Sequence, residues 1–143
     1  MTVASLQRRT LLAGFLACAS AMLAGCGGGP GLQPVTGKVL LNKKAAEHAT
    51  VVLHPVTPAA ADAPKPRGTV SADGTFAITT NTAGDGAPPG EYRVTVEQWL
   101  AGPRSDDAPT NRLPAKYSNP ATSGLTAVVG PGPTELKVIE LTR

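Results

Sequence analysis

Cysteine is nearly absent from this chain. The two cysteines among 143 residues, Cys18 and Cys26, both fall in its first 26 positions. Everything after Cys26 is thiol-free, so that part holds no disulfide, no thiolate metal site and no cysteine nucleophile. Aromatics are scarce too: two Phe, two Tyr and one Trp. Phe15 lies in the opening segment, so the core is expected to be Val, Leu, Ile and Ala around Phe76 and Tyr92, with Trp99 as a third candidate. Charged residues are only 16% of the chain, and the formal charge of +3 becomes +1 once Arg8 and Arg9 are set aside. Lys and Arg do not cluster with aromatic platforms, so nucleic acid is not an expected partner. No stretch after Cys26 carries a 3.6-residue hydrophobic period, which speaks against helices. The length suits one small domain.

What is present begins with an address. Arg8-Arg9 precede the apolar runs Leu11–Ala17 and Ala21–Ala24. A basic start followed by a short apolar run has the form of a signal peptide, and it falls short of the roughly 20 apolar residues a membrane span needs. The segment ends Leu23-Ala24-Gly25-Cys26. That sequence resembles the bacterial lipoprotein box. Its small residues admit the backbone to the peptidase cleft, and its thiol becomes the thioether to diacylglycerol. Cys18 follows Phe15-Leu16-Ala17. Phe fits the aliphatic position less well, and cleavage there would leave an apolar stub. Cys26 is therefore the expected lipidation site, carrying palmitate-like acyl chains. Gly27-Gly28-Gly29-Pro30-Gly31 then supplies a flexible spacer. Arg8-Arg9 ahead of Thr10-Leu11-Leu12 also resembles a twin-arginine export signal, and the general secretory route stays open beside it. Both end outside the cytoplasm. The expected organisation is a signal peptide over 1–25, a Gly/Pro tether over 26–34 and one domain over 35–143.

The domain reads as strands. Val70 to Val96 is the clearest stretch. Phe76 and Ile78 alternate with Thr75, Ala77 and Thr79 after an Asp73-Gly74 turn, and Tyr92, Val94 and Val96 alternate with Arg93, Thr95 and Glu97. Two alternating runs around Asp-Gly signal a hairpin. Seven runs are expected as strands: 35–41, 50–54, 67–71, 75–80, 90–97, 125–129 and 135–141. None of the 14 prolines falls inside them. Pro cannot donate to a ladder, so its confinement to the gaps marks strand ends. In the last run Leu136 and Val138 alternate, but Ile139-Glu140-Leu141 breaks step. One bulged residue near Val138-Ile139 would return Leu141 to the core.

Three blocks together resemble the carboxypeptidase regulatory-like domain, a transthyretin-like β-sandwich. They are Val35-x-Gly37-x-Val39, Asp73-Gly74-x-Phe76-x-Ile78 and Pro89-Gly90-x-Tyr92-x-Val94-x-Val96. The segment Leu113 to Leu125 and the loop Gly84 to Tyr92 are similar to those of small bacterial lipoproteins carrying this domain. The resemblance covers about residues 35 to 141. It implies a seven-stranded antiparallel Greek-key sandwich in the cell envelope, used as a non-catalytic binding or structural module. Gly37 is expected to permit close approach of the sheets, Gly74 the hairpin turn, and Tyr92 to bury its ring while its hydroxyl holds a loop. The family often has Gly near Lys44 and His48, so the turn around Lys43 to His48 is expected to differ here.

Chemistry-bearing patterns are thin. Neither His48 nor His54 is followed by a Glu at metal-ligand spacing. They share strand parity, which leaves a small periplasmic hydrolase on that face as an alternative. The Tyr-Arg-Gly-Ser signature of the transthyretin-like hydrolases of 5-hydroxyisourate is missing, and no nucleophile elbow singles out a triad. A pilin-like isopeptide through Lys38 lacks an Asn or Asp in the last strand. No catalytic residue, metal ligand or cofactor is assigned.

The remaining candidate is the long passage from Gln98 to Gly124, whose length is unusual for a compact domain. If strands alternate in direction, this passage shares the membrane-distal end with the loops at 42–49 and 72–74. The loops at 55–66, 81–89 and 130–133 share the tether's end. The passage holds Trp99, Arg104, Arg112, Lys116 and Tyr117. An aromatic-and-cation set on a loop suits an envelope protein or a glycan, as in a carbohydrate-binding module. The plainer reading is that Trp99 and Tyr117 tuck the loop onto the sandwich.

Overall fold

The computed structural model describes residues 31–57 and 63–143. The expected signal peptide, Cys26 and Gly27 to Gly29 lie outside the described residues.

The described chain is all-β. In one sheet β1 (Val35–Leu41) is central. On one side it pairs antiparallel with β2 (Lys44–Ala45) and with β5 (Thr75–Ala77). On the other it pairs in parallel with β10 (Thr134–Glu135) and β11 (Ile139–Leu141). The second sheet is antiparallel throughout. Its order is β4 (Arg67–Thr69), β3 (Thr50–Pro55), β6 (Gly90–Glu97), β9 (Leu125–Val129). The passage from β6 to β9 adds a ribbon of β7 (Trp99–Leu100) and β8 (Thr110–Asn111), then a 3-10 turn over Ala115–Ser118. Alternate residues of both main sheets turn into one core that includes Val39, Leu53, Phe76, Ile78, Val94 and Leu141.

The described residues hold eleven strands; at least one overlaps each of the seven expected runs, with three changes. The sandwich is not wholly antiparallel, because the first and last runs are neighbours. Strict alternation of direction makes the first and seventh runs parallel, and every observed pairing obeys that alternation. The third and fourth runs are shorter than expected and belong to different sheets. Their turn closes through Ser71 N–H to Thr75 O and Gly74 N–H to Ser71 O, 2.8 and 2.9 Å. Gly74 sits there at φ +87°. The chain then parts, β4 joining β3 and β5 joining β1. The seventh run is broken. Val35 faces Thr134, but Val39 faces Ile139, so the last run holds one residue more than β1. The extra residue leaves Val138 52% exposed and returns Leu141 to the core.

Gly37 serves a different purpose from the expected one. A Cβ there would stand 2.6 Å from the Phe76 ring, and Phe76 is its partner within the same sheet. The missing side chain makes room for Phe76, the only Phe among the described residues. Close approach between the sheets falls to Gly68 instead, where a Cβ would lie 2.5 Å from the Ala77 carbonyl oxygen. Tyr92 behaves as anticipated: its ring is buried, and its hydroxyl donates to Pro88 O at 2.7 Å. Burial pushes its ionisation upward. The turn after β1 keeps left-handed backbone without glycine, at Asn42 (φ 49°), Lys43 (φ 66°) and His48 (φ 63°). Asn tolerates that region better than Lys or His does.

Backbone pairing begins before residue 35, the expected start of the domain. Gln33 already exchanges two backbone bonds with Ala87, at 2.9 and 3.0 Å. The chain thus enters the sandwich through a bridge to the loop before β6.

Candidate functional site

Three loops gather at the end of the sandwich remote from that entry. The 42–49 turn meets the 70–75 turn through His48 N–H to Val70 O and Val70 N–H to Ala49 O, 2.9 and 2.8 Å. The long passage joins them where the Gln98 side-chain amide donates to Glu47 O at 2.8 Å. This is the grouping that alternating strand direction requires.

The long passage is held in shape by Asn111. Its Oδ1 accepts the backbone N–H groups of Gln98 and Leu113, at 3.0 and 3.1 Å, and its Nδ2 donates to Ser118 Oγ at 3.0 Å. One amide therefore ties the start, middle and end of a 27-residue excursion. Leu113, just beyond it, is buried. Nothing in the sequence pattern marks Asn111, because its partners are contiguous only once the ribbon has formed.

The five candidate residues do not form one patch. Trp99 stands 55% exposed on the ribbon, paired in register with Asn111. Its Nε1–H donates to the Glu97 carboxylate at 3.1 Å, so the indole is held in one orientation with its polar atom satisfied. Arg112 follows on β8's continuation and is exposed, its N–H bonded to Gln98 O. Arg104 lies at the tip of the passage, in a turn where its N–H donates to Asp107 Oδ2 at 3.1 Å. Tyr117 is a core residue instead of a surface one. It is 5% exposed, and its hydroxyl accepts from Thr142 N–H at 3.1 Å. That bond to the Thr142 backbone draws its ionisation downward. Lys116 covers it, Nζ 4.7 Å from the ring centroid. Tyr117 thus takes the third aromatic place in the core that Trp99 was a candidate to fill. Its small 3-10 turn lies against β6 and pins the last strand.

The two histidines are not brought together. His48 is in the distal turn, exposed, with Nε2 3.4 Å from Glu47 Oε1. His54 is at the far end of β3, about 20 Å along a strand of that rise. It lies on the outer face of the second sheet, with Nε2 3.0 Å from Thr95 Oγ1. Partial burial, aided by Lys65, holds its pKa below the ordinary imidazole range.

At the opposite end of the sandwich, Asp85 organises the loop that pairs with Gln33. Its carboxylate accepts from the backbone N–H groups of Thr80, Asn81 and Thr82, at 2.7, 2.9 and 2.8 Å. The Thr80 N–H is the largest of the influences that hold its pKa below the usual carboxylate value. Asp85 carries no motif that a sequence would display; three successive donors converge on it only because the loop turns back.

Two shallow clefts are present among the described residues. One of about 490 Å³ lies where β4 parts from β5, lined by Thr50, Arg67, Thr69 and Thr79. The other, about 310 Å³, lies between Asn42-Lys43 and Glu140–Thr142. Neither contains a histidine.

No protein-family model matches the chain, and no curated protein matches it. Among solved structures it is similar to a 9R-lipoxygenase from Cyanothece PCC8801, at 15% identity and a TM-score of 0.41. The match covers 77% of this chain and 16% of that one, so the chain spans about a sixth of the lipoxygenase's length.

Proposed function

We propose that this chain is an exported cell-envelope lipoprotein, anchored by acyl groups on Cys26, whose β-sandwich is a non-catalytic binding or structural module. The observation that carries this is the order of segments. A basic start and apolar run lead to Leu23-Ala24-Gly25-Cys26, then a glycine spacer, then a small all-β domain. Two or three acyl chains make such an anchor stable, where one is marginal. The finer description of the domain is a seven-stranded Greek-key sandwich of the carboxypeptidase regulatory-like, transthyretin-like kind. Support for it comes from the alternating runs and from Gly74 and Tyr92 in their expected roles.

The distal end is the face such a module presents, because the chain enters at the opposite end. Trp99 is its outstanding feature: an open indole fixed by Glu97, suited to stack on a sugar ring or an apolar side chain. Either a glycan or an envelope protein fits that chemistry, and Trp99→Ala should abolish pull-down by either while leaving stability unchanged. A hydrolase spanning His48 and His54 finds no support in their separation.

Replacing Cys26 with Ser tests the anchor. The wild-type protein should fractionate with membranes and the variant should be released. A variant retained at the wild-type level would overturn the anchor.

A further inference from the structure

On one flank of the sandwich β4 and β5 part for different sheets, and the gap between them is framed at both ends. Near the Asp73-Gly74 turn, Ser71 N–H donates to Thr75 O at 2.8 Å. Farther along, Arg67 and Thr79 exchange two backbone bonds of 2.9 and 2.7 Å. Between those closures β4 pairs with β3 and β5 with β1. The cleft of about 490 Å³ opens there. Small-molecule sites run from about 300 to 1,000 Å³, so the space suits a ligand larger than a bare ion.

Its lining has a definite chemistry. Arg67, Thr50, Thr69 and Thr79 supply the polar side chains, and Gly68 and Ala77 complete it. No aromatic or large aliphatic side chain is among them, which fits a hydrophilic molecule. A hydroxyl both donates and accepts, as the hydroxyls of a sugar do. Thr79 Oγ1 accepts from Gly84 N–H at 3.0 Å, so it is held in place with its own O–H left to donate. No carboxylate lines the cleft. Arg67 is exposed, and the one ion pair among the described residues, His48 with Glu47, does not involve it. Lys65 and Arg67, both exposed, flank the buried Pro66 and so leave the chain on the same side. Arg93 stands in register with His54, whose pKa is lowered by partial burial and then by the Lys65 charge. That flank is therefore electropositive. Glu97 faces Thr50 from the next strand, but its carboxylate accepts the Trp99 indole N–H.

We propose that this cleft binds a sugar bearing an anionic group, a carboxylate or a phosphate. The Arg67 guanidinium takes the oxyanion, since its fork of N–H groups meets two oxygens at once. Thr50, Thr69 and Thr79 take the ring hydroxyls. The site is separate from Trp99, which lies on the ribbon that follows β6. It goes beyond the proposed anchoring and does not depend on it.

The test uses the full chain, labelled with nitrogen-15 and titrated with glucuronate, glucose 6-phosphate, glucose and inorganic phosphate. Saturable shifts of the Gly68, Thr69, Ala77 and Thr79 amides are expected with one or both of the anionic sugars. The tighter of the two identifies carboxylate or phosphate as the preferred group. Glucose and inorganic phosphate should each bind much more weakly. Arg67→Gln removes a charged hydrogen-bonding partner and should weaken binding about tenfold. Arg67→Lys should recover part of the loss, and Thr69→Val should weaken binding severalfold. All three positions are on the surface, and an unchanged thermal midpoint shows that each variant is folded. Trp99→Ala should leave the titration unchanged. Absence of saturable shifts at these amides would overturn the proposal. So would equal binding of glucose, equal binding of inorganic phosphate, or wild-type affinity in a folded Arg67→Gln chain. Shifts that vanish with Trp99→Ala would move the ligand to the ribbon, overturning this site while keeping a binding module. A Cys26→Ser chain should titrate as wild type, so loss of the anchor and loss of this site are read separately.

Discussion

Gly86→Ala should destabilise the domain far more than Gly84→Ala, although the two glycines are neighbours in one loop. Both have left-handed backbone, at φ +86° and +73°. A side chain in that region costs about 1–2 kcal/mol whatever surrounds it. Gly84 has nothing within 4 Å of the position a Cβ would take, so strain is the whole of its cost. At Gly86 the Cβ would stand 1.7 Å from Gln33 O, 2.4 Å from its carbonyl carbon and 2.9 Å from Pro34 Cα. These are backbone atoms that cannot rotate aside. The entering chain must be displaced, and with it the two bonds between Gln33 and Ala87. Each such bond contributes about 1 kcal/mol net. The sum for Gly86→Ala is about 3–4 kcal/mol, against about 1–2 for Gly84→Ala. Urea unfolding at constant slope reads both from the midpoint. Equal midpoints for the two variants would refute the reasoning. They would mean that the Gln33–Ala87 bridge does not hold the start of the domain.

Two further effects follow from single side chains. Tyr117→Phe keeps the buried ring but removes the hydroxyl that Thr142 N–H donates to, so it should cost about 1–2 kcal/mol in the same assay; an unchanged midpoint would show that Tyr117 does not hold the last strand. Asp85 should make the domain acid-sensitive. Its folded pKa lies below the unfolded value near 3.8, so its contribution is full above that value and is lost as pH falls through the lower, folded one. Asp85→Asn should lower the thermal midpoint at pH 7 and narrow the gap between variant and wild type below pH 4, and a gap that stays constant with pH would contradict the assignment.

The strands were legible because alternation and proline placement are local properties. Residues such as Val94 and Val96 announce a buried face, and Pro88-Pro89 announces a boundary, without knowledge of anything distant. The bulge could be read as well, since Ile139-Glu140-Leu141 breaks step within a few positions. Sheet membership was harder. The Asp73-Gly74 turn gives the same signal whether its two strands stay together or part, and the partners that separate them, β3 for one and β1 for the other, lie far off in sequence. In the long passage alternation is lost, so the sequence ranks Trp99 and Tyr117 alike. Their fates diverge because Tyr117 follows Leu113 into the core on a turn, while Trp99 sits on a ribbon whose outer side faces solvent. Asn111 and Asp85 act by collecting backbone N–H groups that converge only after folding. Side chains of this kind leave no period and no motif.

The central claim is the anchor, because it sets where the sandwich acts and which end it presents. Intact-mass measurement of the protein purified from the membrane fraction tests it most directly. A chain that begins at Cys26 and carries the added mass of two or three acyl groups is the expected result. An unmodified chain, found soluble or beginning at another residue, would contradict the account.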